Sequence, residues 1–235
     1  MKPVNAFLFL LVMGCFQYTT AQSSKIADYF KREIPKGWVS DTLITGDLNK
    51  DQQPDVVLVI RNTSAANFKI HDGLGQDTLD LNPRRLLIYF KEGKGYRKVL
   101  STDQFLPSVN SDINPCLSDP FVDGSIGINK GVLKMGFHYW LSCGSYEVTD
   151  WDYTFRFQQG RFELIGLDVS SMHRASGEMS TTSYNFMTGK KQEIFGGNEF
   201  FPEKDHPKER WSFIKKHPLF DLASMTGQTV KNRDW

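Results

Sequence analysis

Residues 150–157, Asp-Trp-Asp-Tyr-Thr-Phe-Arg-Phe, alternate polar and aromatic side chains without a break. Successive side chains of a β-strand point to opposite faces, so Trp151, Tyr153, Phe155 and Phe157 line one face and Asp152, Thr154 and Arg156 the other. A helix would scatter both sets around its circumference. The stretch therefore reads as a strand with one apolar face.

The rest of the chain supplies neighbours of the same kind. Residues 38–48 and 54–61 read as strands, Leu86–Phe90 is an apolar run turned by Gly93-Lys94-Gly95 into Tyr96–Leu100, and Ile126 and Ile128 lead through Asn129-Lys130-Gly131 to Leu133, Met135, Phe137 and Tyr139. Residues 162–168 follow, with Gly166 marking a bulge, and 181–187 and 191–195 form a hairpin across Thr188-Gly189-Lys190. Residues 62–82 and 106–122 lack periodicity and read as a long loop and an irregular connection. Helical spacing of Ile26, Phe30 and Ile34 before Pro35-Lys36-Gly37 predicts a helix over 24–34. Asp205, Pro207, Trp211 and Ile214 before His217-Pro218 predict another over 205–216. The fold class that follows is mainly β: an antiparallel meander, as a sandwich, curved sheet or partial propeller, with a short helix near each end.

The first residues carry a different signal. Lys2, an apolar stretch from Phe7 to Met13 and the small residues of Thr19-Thr20-Ala21 form a secretory leader cleaved after Ala21, so residues 22–235 make one β-rich domain. The apolar stretch is too short to span a bilayer, so no transmembrane span is expected. The destination is periplasmic or extracellular. In the alternative, Val12-Met13-Gly14-Cys15 acts as a lipobox and Cys15 anchors the protein as a lipoprotein. Export leaves Cys116 and Cys143 as an even pair in an oxidising compartment, where a disulfide is expected. Lys+Arg 28 against Asp+Glu 27 becomes an even balance once Lys2 leaves with the leader. A neutral domain lacks the basic footprint of a nucleic-acid binder.

One loop names a chemistry. In Thr45–Ile60, TGDLNKDQQPDVVLVI, the residues Asp47, Asn49, Asp51 and Asp55 occupy positions 1, 3, 5 and 9 of a turn, and the Gln53 carbonyl takes position 7. That spacing wraps oxygens around a hard cation such as calcium. The GDLN-x-D-x-x-x-D pattern before an apolar strand resembles the FG-GAP or VCBS-type repeats of the integrin α-chain propeller, and the resemblance implies that these residues are ligands of a calcium ion stapling a hairpin. Gln52 stands where that pattern has glycine, and a left-handed turn costs a non-glycine residue roughly 1 kcal/mol. The segments 161–168, 176–178 and 184–190 also resemble a group of small exported bacterial proteins with no assigned reaction, which implies one continuous domain.

Catalytic motifs are sparse. The chain has no nucleotide-binding loop, HExxH, GxSxG or Cys-x-x-Cys, and its five histidines show no zinc-ligand spacing. Acid pairs for glycoside hydrolysis can be drawn from Glu147, Asp150, Asp152, Asp168 and Glu178, with Asp168 and Glu178 the foremost. Of the aromatic set, Phe137, Tyr139, Trp151 and Tyr153 obey the alternation of a buried face, whereas His138 and Trp140 fall on the opposite face and are the candidates for a binding surface. The sequence therefore points to an exported, non-catalytic β-domain with a structural calcium loop, binding a protein or glycan at the cell envelope. The alternative is a secreted hydrolase acting on polysaccharide or peptide.

Overall fold

A computed structural model describes residues 25–122, 124–202 and 206–231. The leader over 1–21, Cys15 and Asp205 lie outside the described residues. Residues 25–31 form a helix, α1. The strands are β1 (Trp38–Gly46), β2 (Asp55–Asn62), β3 (Phe68–Ile70), β4 (Thr78–Asp80), β5 (Arg84–Glu92), β6 (Gly95–Thr102), β7 (Ile126–Asn129), β8 (Val132–Trp140), β9 (Glu147–Gln158), β10 (Arg161–His173), β11 (Glu178–Asn185), β12 (Lys190–Asn198) and β13 (Lys208–Phe213).

They assemble into a four-stranded sheet of order β1-β2-β5-β6 and a seven-stranded sheet running β13 to β7 in reverse chain order, beside a small β3-β4 hairpin. Every named pairing is antiparallel. The two sheets share one core: Val57, Val59, Leu86, Ile88 and Phe90 from the first meet Leu133, Met135, Phe137, Tyr153, Phe155 and Leu164 from the second. The alternation read in residues 150–157 is thus borne out, with Tyr153 and Phe155 buried and Phe157 packed edge-on against Phe90.

The run Val56–Ile60 is apolar at every position because β2 is covered on both faces. Val57 and Val59 enter the inter-sheet core, while Val56, Leu58 and Ile60 face Ile26 and Phe30 of α1. Leu87 and Tyr89 of β5 join that outer cluster, so the molecule is a sandwich with a short helix laid on its smaller sheet. The expected bulge is present: the β9–β10 register shifts between Leu164 and Gly166.

Two expectations give way. The loop predicted over 62–82 contains the β3-β4 hairpin. The helix predicted over 205–216 is instead β13, paired with β12 from Lys190↔Phe213 to Phe195↔Lys208. Trp211 and Ile214 satisfied a helical spacing, but Trp211 and Phe213 equally satisfy a strand period, and the open edge of β12 offers backbone hydrogen bonds that an isolated helical turn lacks.

Candidate functional site

Cys116 and Cys143 form the expected disulfide, with a Cα–Cα distance of 5.4 Å. It fixes the connection leaving β8. Ser118 donates its N–H to the Trp140 carbonyl at 3.0 Å, Ser142 donates to the Cys116 carbonyl at 2.8 Å, and Leu117 bridges Leu141. On this clamped segment the Arg174 guanidinium lies 4.9 Å from the centre of the Trp140 ring and 6.0 Å from that of Tyr146. Its Nη2 donates to the carbonyls of Leu141 and Ser145 at 2.8 and 2.7 Å. The guanidinium is therefore held between two rings by the loop's own backbone, and the rings are set before any ligand arrives. Tyr146 remains 63% exposed.

Tyr146 also packs near His173, which borders a cavity. Its ring centre lies 5.8 Å from that of His173, and His173 with Glu147, Ser171 and Glu178 lines a space of about 380 Å³ at the ends of β9, β10 and β11. Glu147 is in register with His173, and Glu178 opens the next strand, which separates the two glutamates by about two strand spacings, or 10 Å. Asp168 is in register with Ser183, five residues along β11 from Glu178, a span of about 17 Å. The foremost acid pair read in the sequence is not brought together.

His138 and Trp140 both lie on the outer face of β8, and neither is buried. His138 contacts Asp150 across the strands, Nδ1 to Oδ1 at 2.6 Å. Asp152 sits in register with both Gly136 and Asp168. Burial, then the charges of Asp150 and Asp168, raise the Asp152 carboxyl above its ordinary value. A Cβ on Gly136 would come within 2.7 Å of Asp152 Oδ1, so glycine leaves room for that carboxylate.

In the 47–55 loop, Lys50 and Gln52 adopt positive φ of 68° and 66°. Asp47 accepts N–H groups of Lys50, Asp51 and Gln52 at 2.6, 3.1 and 2.9 Å, Asn49 accepts that of Asp51, and Asp51 that of Gln53. Oxygens of Asp47, Asn49 and Asp51 thus share one turn, and their chemistry suits a hard cation. Asp55 is different. It is fully buried and spends both oxygens on the N–H groups of Leu48, Asn49 and Lys91, tying the loop to β5, while desolvation raises its carboxyl above the ordinary range. Among the described residues no three His, Cys, Asp or Glu side chains converge as a metal cage.

The sequence reading missed an ionic cluster at the end of the smaller sheet. Asp41 occupies a bulge between Ser40 and Thr42, which aims it at both Arg61 and Arg84 at 3.3 and 2.8 Å. Arg84, only 3% exposed, also grips Asp119 with two donors at 2.8 and 2.5 Å and the Pro107 carbonyl, while Arg61 reaches Asp80 at 3.0 Å. Burial lowers the Arg84 pKa, but these partners outweigh it and hold the guanidinium above its ordinary value. The cluster edges a cavity of about 440 Å³, yet its charges answer one another. Only the arginines at 61 and 84 flanking two apolar strands could have hinted at it.

No known family, curated protein or solved structure matches this chain. The likeness of its loop to FG-GAP repeats accordingly rests on sequence. Among the described residues no helix is long and apolar enough to cross a membrane, and the disulfide fits an oxidising compartment.

Proposed function

We propose that this protein is an exported, non-catalytic β-domain that binds a glycan at the cell envelope, with Trp140, Tyr146 and Arg174 as its contact platform. The observation that carries this reading is the Arg174 guanidinium fixed between two rings on a disulfide-clamped loop. Flat rings stack on the C–H face of a sugar and lose little entropy in doing so, and the adjacent carboxylates and His173 supply partners for hydroxyls. Calcium held by Asp47, Asn49, Asp51 and the Gln53 carbonyl belongs to the same proposal. Its role is structural, securing the β1–β2 turn, and Asp55 serves as the anchor beneath it.

The second reading, a hydrolase, rests on Glu147 and Glu178 lining one cavity. Their strands lie two spacings apart, and inverting glycosidases hold two carboxyls about 6.5–9.5 Å apart around one substrate. One experiment separates the two: retention on insoluble peptidoglycan and chitin, with the supernatant assayed for released reducing ends. The binding module predicts retention without release, and Trp140→Ala with Tyr146→Ala should weaken it roughly tenfold through lost stacking. Equal retention of the variant removes the platform. Release of reducing ends that Glu147→Gln and Glu178→Gln each abolish replaces the module with the enzyme.

A further inference from the structure

The largest of the three cavities described opens on the core side of β8, the face opposite Trp140, and its ligand is independent of the proposed glycan. A space of about 540 Å³ opens between the 104–112 connection, the inner end of β8 and the C-terminal turn. Gly227 donates its N–H to the Gln104 carbonyl at 3.3 Å and so ties that turn to the connection. The volume falls within the range of small-molecule sites, and its lining sets apolar side chains such as Phe105, Leu106 and Tyr139 beside a comparable share of polar ones.

The cation in this cavity is Lys231. Its ammonium stands 3.7 Å from the centre of the Tyr139 ring and 5.0 Å from that of Trp151. Burial alone lowers its pKa to about 8, with no contribution from a neighbouring carboxylate among the described residues. Ring faces compensate a desolvated cation only in part. The other titratable groups of the lining are Tyr139, whose hydroxyl burial pushes up to about 12, and Asp112, which is half exposed and lies 4.0 Å from Lys69. A second donor is also short of an acceptor. Asn110 accepts the Asp80 N–H with Oδ1 at 2.8 Å, while its buried Nδ2 has no partner among the described residues. Buried donors left unpaired are uncommon and costly.

We propose that this cavity binds a small amphipathic monocarboxylate, its anionic group set against the Lys231 ammonium and its apolar part against Phe105, Leu106 and Tyr139. One uncompensated cation matches one negative charge. A dianionic phosphate is normally gripped by several charged donors, arginine forks above all, and the lining contains none. A carboxylate of the chain itself is the competing source, since Asp234 follows Lys231 closely in sequence.

The test is calorimetric titration of the purified protein with hexanoate and benzoate, with hexanamide and inorganic phosphate as controls. Hexanoate or benzoate should bind saturably, with hexanamide roughly tenfold weaker, because it lacks the charge that strengthens a hydrogen bond to an ammonium. Lys231→Met should show the same loss and Lys231→Arg should retain binding. The amide comparison is made on the unaltered protein, so the test survives a variant that fails to fold. Equal binding of acid and amide, preference for phosphate, or no binding at all overturns the proposal. So does an Asp234→Asn variant that binds hexanoate when the unaltered protein does not, for then the protein's own carboxylate is the occupant.

Discussion

Asp41 and Arg84 show what a single residue can carry. Arg84 is buried with Asp41 and Asp119 against it, whereas Asp119 keeps appreciable contact with solvent. Breaking a buried pair by removing one partner strands the other charge, while replacing a buried cation with an apolar side chain of similar size is far milder. Asp41→Ala, which deprives Arg61 and Arg84 together, should cost about 3 kcal/mol in urea unfolding, and Arg84→Met clearly less. The reverse order would show that the cluster is held by packing of the arginine stem. Asp55 teaches the same lesson. Its place in the sequence pattern is that of a metal ligand, but its carboxylate satisfies three backbone N–H groups at the root of the loop.

At the scale of elements, the 116–143 disulfide shapes the candidate site more than any strand does. The half-cystines lie 27 residues apart, and closing a loop of that length contributes about 3.5 kcal/mol in the chain-entropy model. Cys116→Ala with Cys143→Ala should lower stability by about that amount. It should also loosen residues 141–146, read as faster amide exchange at Tyr146 and Glu147, while β9 and β10 stay protected. Unchanged exchange would mean that Arg174 alone sets the loop. The strands themselves were legible because period two survives any tertiary context: β8 and β9 follow their alternation closely. β13 was not, since six residues with two aromatics fit either period and the decision lay with the open edge of β12.

Across the whole molecule, the 47–55 loop joins β1 to β2, and Gly46 just before it lies so close to β7 that a Cβ there would meet Ile128 at 2.6 Å. The loop therefore sits where the two sheets approach each other, and an ion bound there would brace the sandwich. Melting with calcium and with chelator measures this. At free calcium tenfold above Kd, linkage adds about 1.4 kcal/mol, and the rise in Tm should vanish in Asp47→Ala with Asp51→Ala. Because Asp47 also accepts three N–H groups, the quantity to compare is the calcium-dependent shift, not the absolute Tm. No shift in the unaltered protein would leave the loop an ordinary turn.

The amino-acid pattern alone was enough for the class of the fold, the order of most strands and the cysteine pair, because side-chain period and local turns are set by neighbours along the chain. Folding in three dimensions was needed for Asp41 and Arg84, or Trp140 and Arg174, to meet, and for Lys231 to lie over Tyr139 and Trp151. These contacts join residues 34 to 92 positions apart in the chain where Trp140 meets Arg174 and Tyr139 meets Lys231. Their partners are chosen by which strand ends and turns the packed sheets bring together, a matter of sheet registry and desolvation that no local pattern encodes.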